Sequence, residues 1–120
     1  RGLLMLFLYS DVGEKDAPTR IKAGSHLDIA RVLKNRGEWG LSFMDLAASF
    51  PDLPLRVEVL ATGAAGTVYL CHPFLVHGAQ PHHGAAPRFL AQPPLLLKEE
   101  LMNGDMYSPV EEAIKMGSGE

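Results

Sequence analysis

Five histidines and a few arginines carry most of the chemistry available to this 120-residue chain. Four of the histidines, His72, His77, His82 and His83, fall within a dozen residues. Clustering of this kind suits a metal site, because imidazole nitrogen ligates zinc, copper and iron. Their surroundings sort them. His82 and His83 lie in a loop rich in Pro and Gly, Gln80–Pro87, where solvated side chains are expected. His72 ends a strand-like run and precedes Pro73, which suits a structural role. His77 stands before Gly78, and a glycine lets the backbone approach a ligand closely. Arg88 follows His77 by eleven residues, the reach of one hairpin. A guanidinium grips a carboxylate by two parallel hydrogen bonds. His77 and Arg88 on neighbouring strands, facing one cavity, would join a metal ligand to a carboxylate anchor.

Other constellations are weaker. His26-Leu27-Asp28 is literally His-x-Asp, 51 residues before His77, and is an alternative source of ligands. Against it, Asp28 stands where a carboxylate belongs near a helix N-terminus. No G-x-S-x-G elbow is present, and Gly63–Gly66 lacks the Lys-Ser/Thr of a phosphate loop. Cys71 is expected to pack as a small hydrophobe. Trp39 is expected at the surface or in a substrate wall.

The elements that must position these residues can be read along the chain. Leu3–Tyr9 is a short apolar run that predicts a fully buried strand, and Asp11–Pro18 predicts a loop. Thr19–Ala23 alternates as a short strand does, and Gly24 ends it. Ser25–Arg36 predicts a helix with Ser25 as N-cap, Asp28 in a capping box, and Ile29, Val32 and Leu33 on one face. Gly37 is placed to end it. A weaker helix is predicted over Ser42–Ser49, stopped by Pro51 and Pro54. Leu55–Leu60, Thr67–Cys71 and Phe74–Ala79 read as strands. Arg88–Leu97 is extended, and Pro93-Pro94 restricts it to a sheet edge. Pro109–Met116 predicts a short helix, and Gly117–Glu120 a frayed end. The expected fold is mainly β with inserted helices, a jelly-roll-like pair of sheets (a double-stranded β-helix), in one domain over residues 1–120.

Composition narrows the class. Hydrophobic residues make up 47% and charged residues 21%, as in a globular domain. A net charge of −3 gives no electrostatic basis for binding nucleic acid. One cysteine fits a reducing compartment, and a cytoplasmic location is expected. The longest apolar run, Leu3–Tyr9, is far short of the roughly 20 residues that a membrane helix needs, so no membrane association is expected.

Against this background one stretch becomes specific. Gly66-Thr-Val-Tyr-Leu-Cys-His-Pro-Phe-Leu-Val-His77-Gly-Ala, followed by Pro87-Arg88, resembles the C-terminal signature of the phytanoyl-CoA dioxygenase family. Phe7-Leu-Tyr-Ser-Asp-Val and Thr19-Arg-Ile-Lys-Ala-Gly-Ser-His26 are similar to that family's earlier segment. The resemblance covers residues 3–97. It implies an Fe(II) centre held by two histidines and a carboxylate, with 2-oxoglutarate as cosubstrate and O2 as oxidant. On that resemblance His77 matches the distal iron ligand and Arg88 the 2-oxoglutarate anchor. His26 and Thr19 match positions that support the site without ligating.

The departures are equally definite. Thr67 replaces the family's Asp, and Ala23 its Pro. The family's first iron motif, His-x-Asp/Glu, belongs upstream of Leu3–Tyr9, so this chain is expected to be a C-terminal portion of a longer module. The expected function is hydroxylation of a small organic substrate, with release of succinate and CO2. Two alternatives stand beside it. One is an inactive jelly-roll remnant binding a small carboxylate or a metal. The other is a cupin-like hydrolase or isomerase using His72, His77 and a distant carboxylate. An incomplete sheet is expected to recruit a second copy or a missing N-terminal segment.

Overall fold

The computed structural model describes all residues, 1–120, and opens with strand β1, Leu4–Leu8. Strand β2, Arg20–Lys22, leads through Gly24 into helix α1, Ser25–Lys34. Helix α2, Phe43–Ala48, runs on into a 3₁₀ turn at Phe50–Asp52. Four short strands follow: β3 Glu58–Leu60, β4 Val68–Cys71, β5 His77–Gly78 and β6 Leu90–Ala91. Helix α3, Pro109–Ser118, closes the chain.

The strands form two antiparallel sheets of three, ordered β4-β1-β6 and β3-β2-β5. Register decides which residues share a face, because directly opposed residues point to the same side. In the first sheet Leu4 pairs with Cys71, Leu6 with Tyr69, and Leu8 with Leu90, and these line the inner face. In the second, Ile21 pairs with both Val59 and His77. Leu4, Leu6, Ile21 and Ala61 form the centre of the core, with Tyr69, Cys71, Leu75 and Leu90 packed against it. Residues from both sheets therefore share one core. Each fully buried leucine contributes roughly 2 kcal/mol to holding them together.

Several expectations need correction. The content is mixed, with three helices beside two small sheets, and is not mainly β. The extended runs around β3, β5 and β6 are longer than the strands they contain, because only part of each run finds a ladder partner. β1 is not buried on both faces: Leu4, Leu6 and Leu8 are buried, whereas Met5 and Phe7 are half-buried. Its outer face continues into Leu70, exposed by 66%, and is apolar throughout. The chain end is not frayed. Ser108 caps α3 in a capping box with Glu111, and the helix extends past Met116 to Ser118. Gly117 is buried against α1; a Cβ there would lie 2.6 Å from the Leu27 carbonyl oxygen and 2.8 Å from the Ala30 Cβ. Only a glycine allows this approach of the two helices.

The start of α1 also differs from the expectation. Gly24, not Ser25, is the N-cap, in the left-handed region at φ 85°, and no side chain caps the helix. Ser25 is the first helical residue and spends its hydroxyl on another element. Asp28 does not complete a capping box. Both its oxygens accept from Arg56, Nε at 2.9 Å and Nη2 at 2.8 Å. No helix is long and apolar enough to cross a membrane.

Candidate functional site

The segment His72–Gly78 leaves β4, turns, and re-enters a sheet as β5. Its polar groups are held one by one. His72 Nδ1 accepts from the Phe74 N–H at 3.0 Å, so its Nε2 carries the proton and donates to the Val110 carbonyl of α3 at 3.1 Å. The Leu75 N–H returns to the His72 carbonyl at 3.1 Å, and the Val76 carbonyl accepts from Lys22 at 3.0 Å. Both His72 nitrogens are committed, so His72 is structural, as its place beside Pro73 suggested.

His77 is arranged differently. Its Nδ1 lies 2.9 Å from the Leu75 carbonyl oxygen, which can only accept, so Nδ1 carries the proton. Nε2 is then an unprotonated lone pair, and its one neighbour is the Gln92 amide nitrogen at 3.4 Å. An imidazole whose far nitrogen is tied to a carbonyl has the tautomer and fixed ring that a metal ligand needs. His77 stands between two cavities. One, of about 210 Å³, is bounded by Arg20, Lys22, Glu58 and Phe50. The other, of about 220 Å³, is mostly apolar and lined by Ile29, Leu33, Leu46, Phe50 and Phe74 among others. Neither Arg20, Lys22 nor Glu58 forms an ion pair within the chain.

Arg88 comes two residues before β6. Its Nη1 donates to the Ala17 carbonyl, and beside it Gln80 Nε2 donates to the Pro18 carbonyl at 2.6 Å. Arg88 lines neither of the two cavities at His77. Thr19 is buried at the entry to β2, and its carbonyl accepts from Ala61. His26 stacks on His72, ring centroids 4.9 Å apart, with a buried Nδ1 that has no partner. Burial, and after it the Arg56 guanidinium, holds His26 below the usual histidine range, while Asp28 pulls weakly the other way. Burial likewise lowers His72. The His26–Asp28 alternative fails on geometry: the Asp28 oxygens are consumed by Arg56, whose hydrogen bonds hold that carboxyl below its usual range.

His82 and His83 are exposed, as their loop predicted, and Trp39 projects from the surface, 95% exposed. Cys71 packs against the core, where burial raises its thiol. No three of His, Cys, Asp and Glu gather closely enough to hold a metal ion. A complete iron centre therefore does not fit within residues 1–120, whereas His77 alone fits the role of one ligand. Sequence reasoning missed Gln92, Arg56 and the destination of the Ser25 hydroxyl. The Gly-Ser-His motif falls on the turn into α1 and does not disclose what its serine holds. No protein-family model matches the chain, and no curated protein or solved structure matches it.

Proposed function

We infer that residues 1–120 contribute one iron ligand, His77, and one carboxylate anchor, Arg88, to a jelly-roll dioxygenase module of the Fe(II)/2-oxoglutarate kind. The observation that carries this reading is the tautomer of His77: Nδ1 is tied to the Leu75 carbonyl, and the Nε2 lone pair takes only a long contact from the exposed Gln92 amide, on a residue that lines two cavities. Strand order supports it. Jelly rolls hold eight strands in two sheets. Here each sheet has three, and β5 and β6 are both edge strands with one side unpaired. One strand added to each of those edges would bring the total to eight. It would also set new side chains beside His77, where a histidine and a carboxylate could complete the ligand set. In this reading the remaining ligands come from a segment outside residues 1–120, and the module acts in a cytoplasmic setting. Bound iron and 2-oxoglutarate would supply the oxidising chemistry, with O2, for hydroxylation of a small organic molecule. The chain's own share is to present one imidazole and to shelter the site with the apolar wall of Ile29, Leu46 and Phe50; Arg88 would have to leave the Ala17 carbonyl to ion-pair the far carboxylate.

A second reading is favoured by one observation: Arg88 is held at the Ala17 carbonyl and lines neither cavity at His77. That reading is a non-catalytic module that binds a metal or small carboxylate without turnover. The two separate in one experiment. The longest chain that contains this module is titrated anaerobically with Fe(II) and 2-oxoglutarate, and succinate is then measured in air. Succinate formation that vanishes in His77→Ala and Arg88→Ala supports the dioxygenase. Unchanged Fe(II) affinity in His77→Ala sinks it. Bound 2-oxoglutarate with no succinate favours the non-catalytic module.

A further inference from the structure

The peptide unit joining Leu75 to Val76 is held at both ends. Its N–H donates to Ser25 Oγ at 2.8 Å, in a buried bond that spans 51 residues of sequence. Its C=O accepts from His77 Nδ1 at 2.9 Å. A trans peptide is planar, and its N–H and C=O point in opposite directions. Fixing one end therefore fixes the other. If that plane rotated, the carbonyl would leave Nδ1, and only the long contact of the exposed Gln92 amide at Nε2 would still favour this tautomer.

Ser25 is well placed to hold the plane. It is 1% exposed and is the first residue of α1. The turn before it is fixed because Gly24 sits in the left-handed region with the Arg56 guanidinium against it, 3.1 Å from where a Cβ would be. Arg56 in turn forks onto Asp28, one helical turn along from Ser25. The hydroxyl is thus anchored to a helix that cannot easily shift.

We propose that Ser25 is the positioning residue for His77: through the Leu75–Val76 peptide, its hydroxyl keeps the proton on Nδ1 and the lone pair on Nε2. The significance for metal binding rests on the dioxygenase reading above, but the tautomer itself does not. Replacing a group that orients a ligand histidine costs about 10- to 100-fold in metal affinity.

The test uses the chain without metal. The 15N-labelled protein is observed at pH 8 by long-range 1H–15N correlation, which distinguishes the two imidazole tautomers. His77 is expected as the Nδ1–H form, the reverse of a free histidine's preference. Ser25→Ala should shift the tautomer ratio about five- to tenfold toward Nε2–H, the equivalent of one lost hydrogen bond. Ser25→Thr and Ser25→Val have one shape and differ in the hydroxyl, so they decide the matter if the alanine variant does not fold. Thr should restore the wild-type ratio and Val should not. A wild-type His77 in the Nε2–H form overturns the proposal, as does a hydroxyl-free variant that folds with the ratio unchanged. Fe(II) titration of the same variants in the full chain is read separately. A tautomer that behaves as expected without any change in Fe(II) affinity removes the ligand role of His77 and leaves the role of Ser25 standing.

Discussion

His72 and His77 lie five residues apart on one segment, yet they occupy opposite kinds of environment. His72 gives both ring nitrogens to backbone groups, stacks on His26 and ties the segment to α3. His77 gives one nitrogen to its own backbone, and the other meets only the exposed Gln92 amide at 3.4 Å. The first arrangement is closed and stabilises the fold. The second holds an imidazole in one orientation at little structural gain. The difference lies in the neighbours. α1 and α3 pack around the His72 end, whereas β5 is an edge strand with an empty side.

The closed region should yield the largest effects on stability. Gly117→Ala places a methyl group against the Leu27 carbonyl and forces α3 away from α1. A loss of about 3 kcal/mol in urea unfolding is expected. Asp28→Ala removes two charge-assisted hydrogen bonds from a side chain that is 1% exposed. It should cost about 2 kcal/mol. His72→Phe keeps the ring and strands the Phe74 N–H and Val110 C=O, for about 1–2 kcal/mol. His77→Phe should cost less than about 1 kcal/mol, because the Leu75 carbonyl loses one donor and the other group affected, the Gln92 amide, is exposed and returns to water. If the two phenylalanine variants prove equally destabilising by denaturant titration, the contrast between the histidines is wrong.

Acid should act on the same contrast. His26 and His72 are both held below 6.5, the value of an exposed histidine, with burial as the leading cause in each. The unfolded chain then takes up protons below about pH 6.5 that the folded chain refuses. Their stabilising contribution is full above that pH and is lost as pH falls through it. Thermal melts between pH 7.5 and 5.5 should show Tm declining by a few degrees, with a flatter profile in His72→Phe. An equal slope in both proteins would place the proton uptake elsewhere. The smallest effect is expected at His83, exposed in its loop: His83→Ala should change stability by no more than about 0.5 kcal/mol in the same titration.

Much of the local structure was legible. The apolar run of β1, the β-branched and aromatic run of β4 and the Pro109 start of α3 all lie near where the sequence rules put them, although only the structure shows the Ser108–Glu111 capping box. The short strands were less so. Leu55–Leu60 alternates over its whole length, yet only Glu58–Leu60 pairs, because a ladder needs a partner and β2 is three residues long. Gly117 read as part of a loose tail because its reason for being glycine is a contact with a helix some 90 residues earlier. Ser25 and Asp28 carried local signals for capping that stronger distant partners, Val76 and Arg56, took over. A hydroxyl or carboxylate takes the best desolvated partner on offer, and that partner need not be near in sequence.

By itself the sequence determined the residue types and their spacing: one histidine before a glycine, an arginine eleven residues on, a Gly-Ser-His turn, and helices and strands in a recognisable order. Those follow from side-chain chemistry and periodicity, which act over a few residues. Only the tertiary structure decided which histidine is closed and which is open. Hydrogen-bond commitments across 38 and 51 residues, from His72 to Val110 and from Val76 to Ser25, set that distinction. Each imidazole has one proton to place, and the nearest fixed carbonyl in three dimensions dictates where it goes.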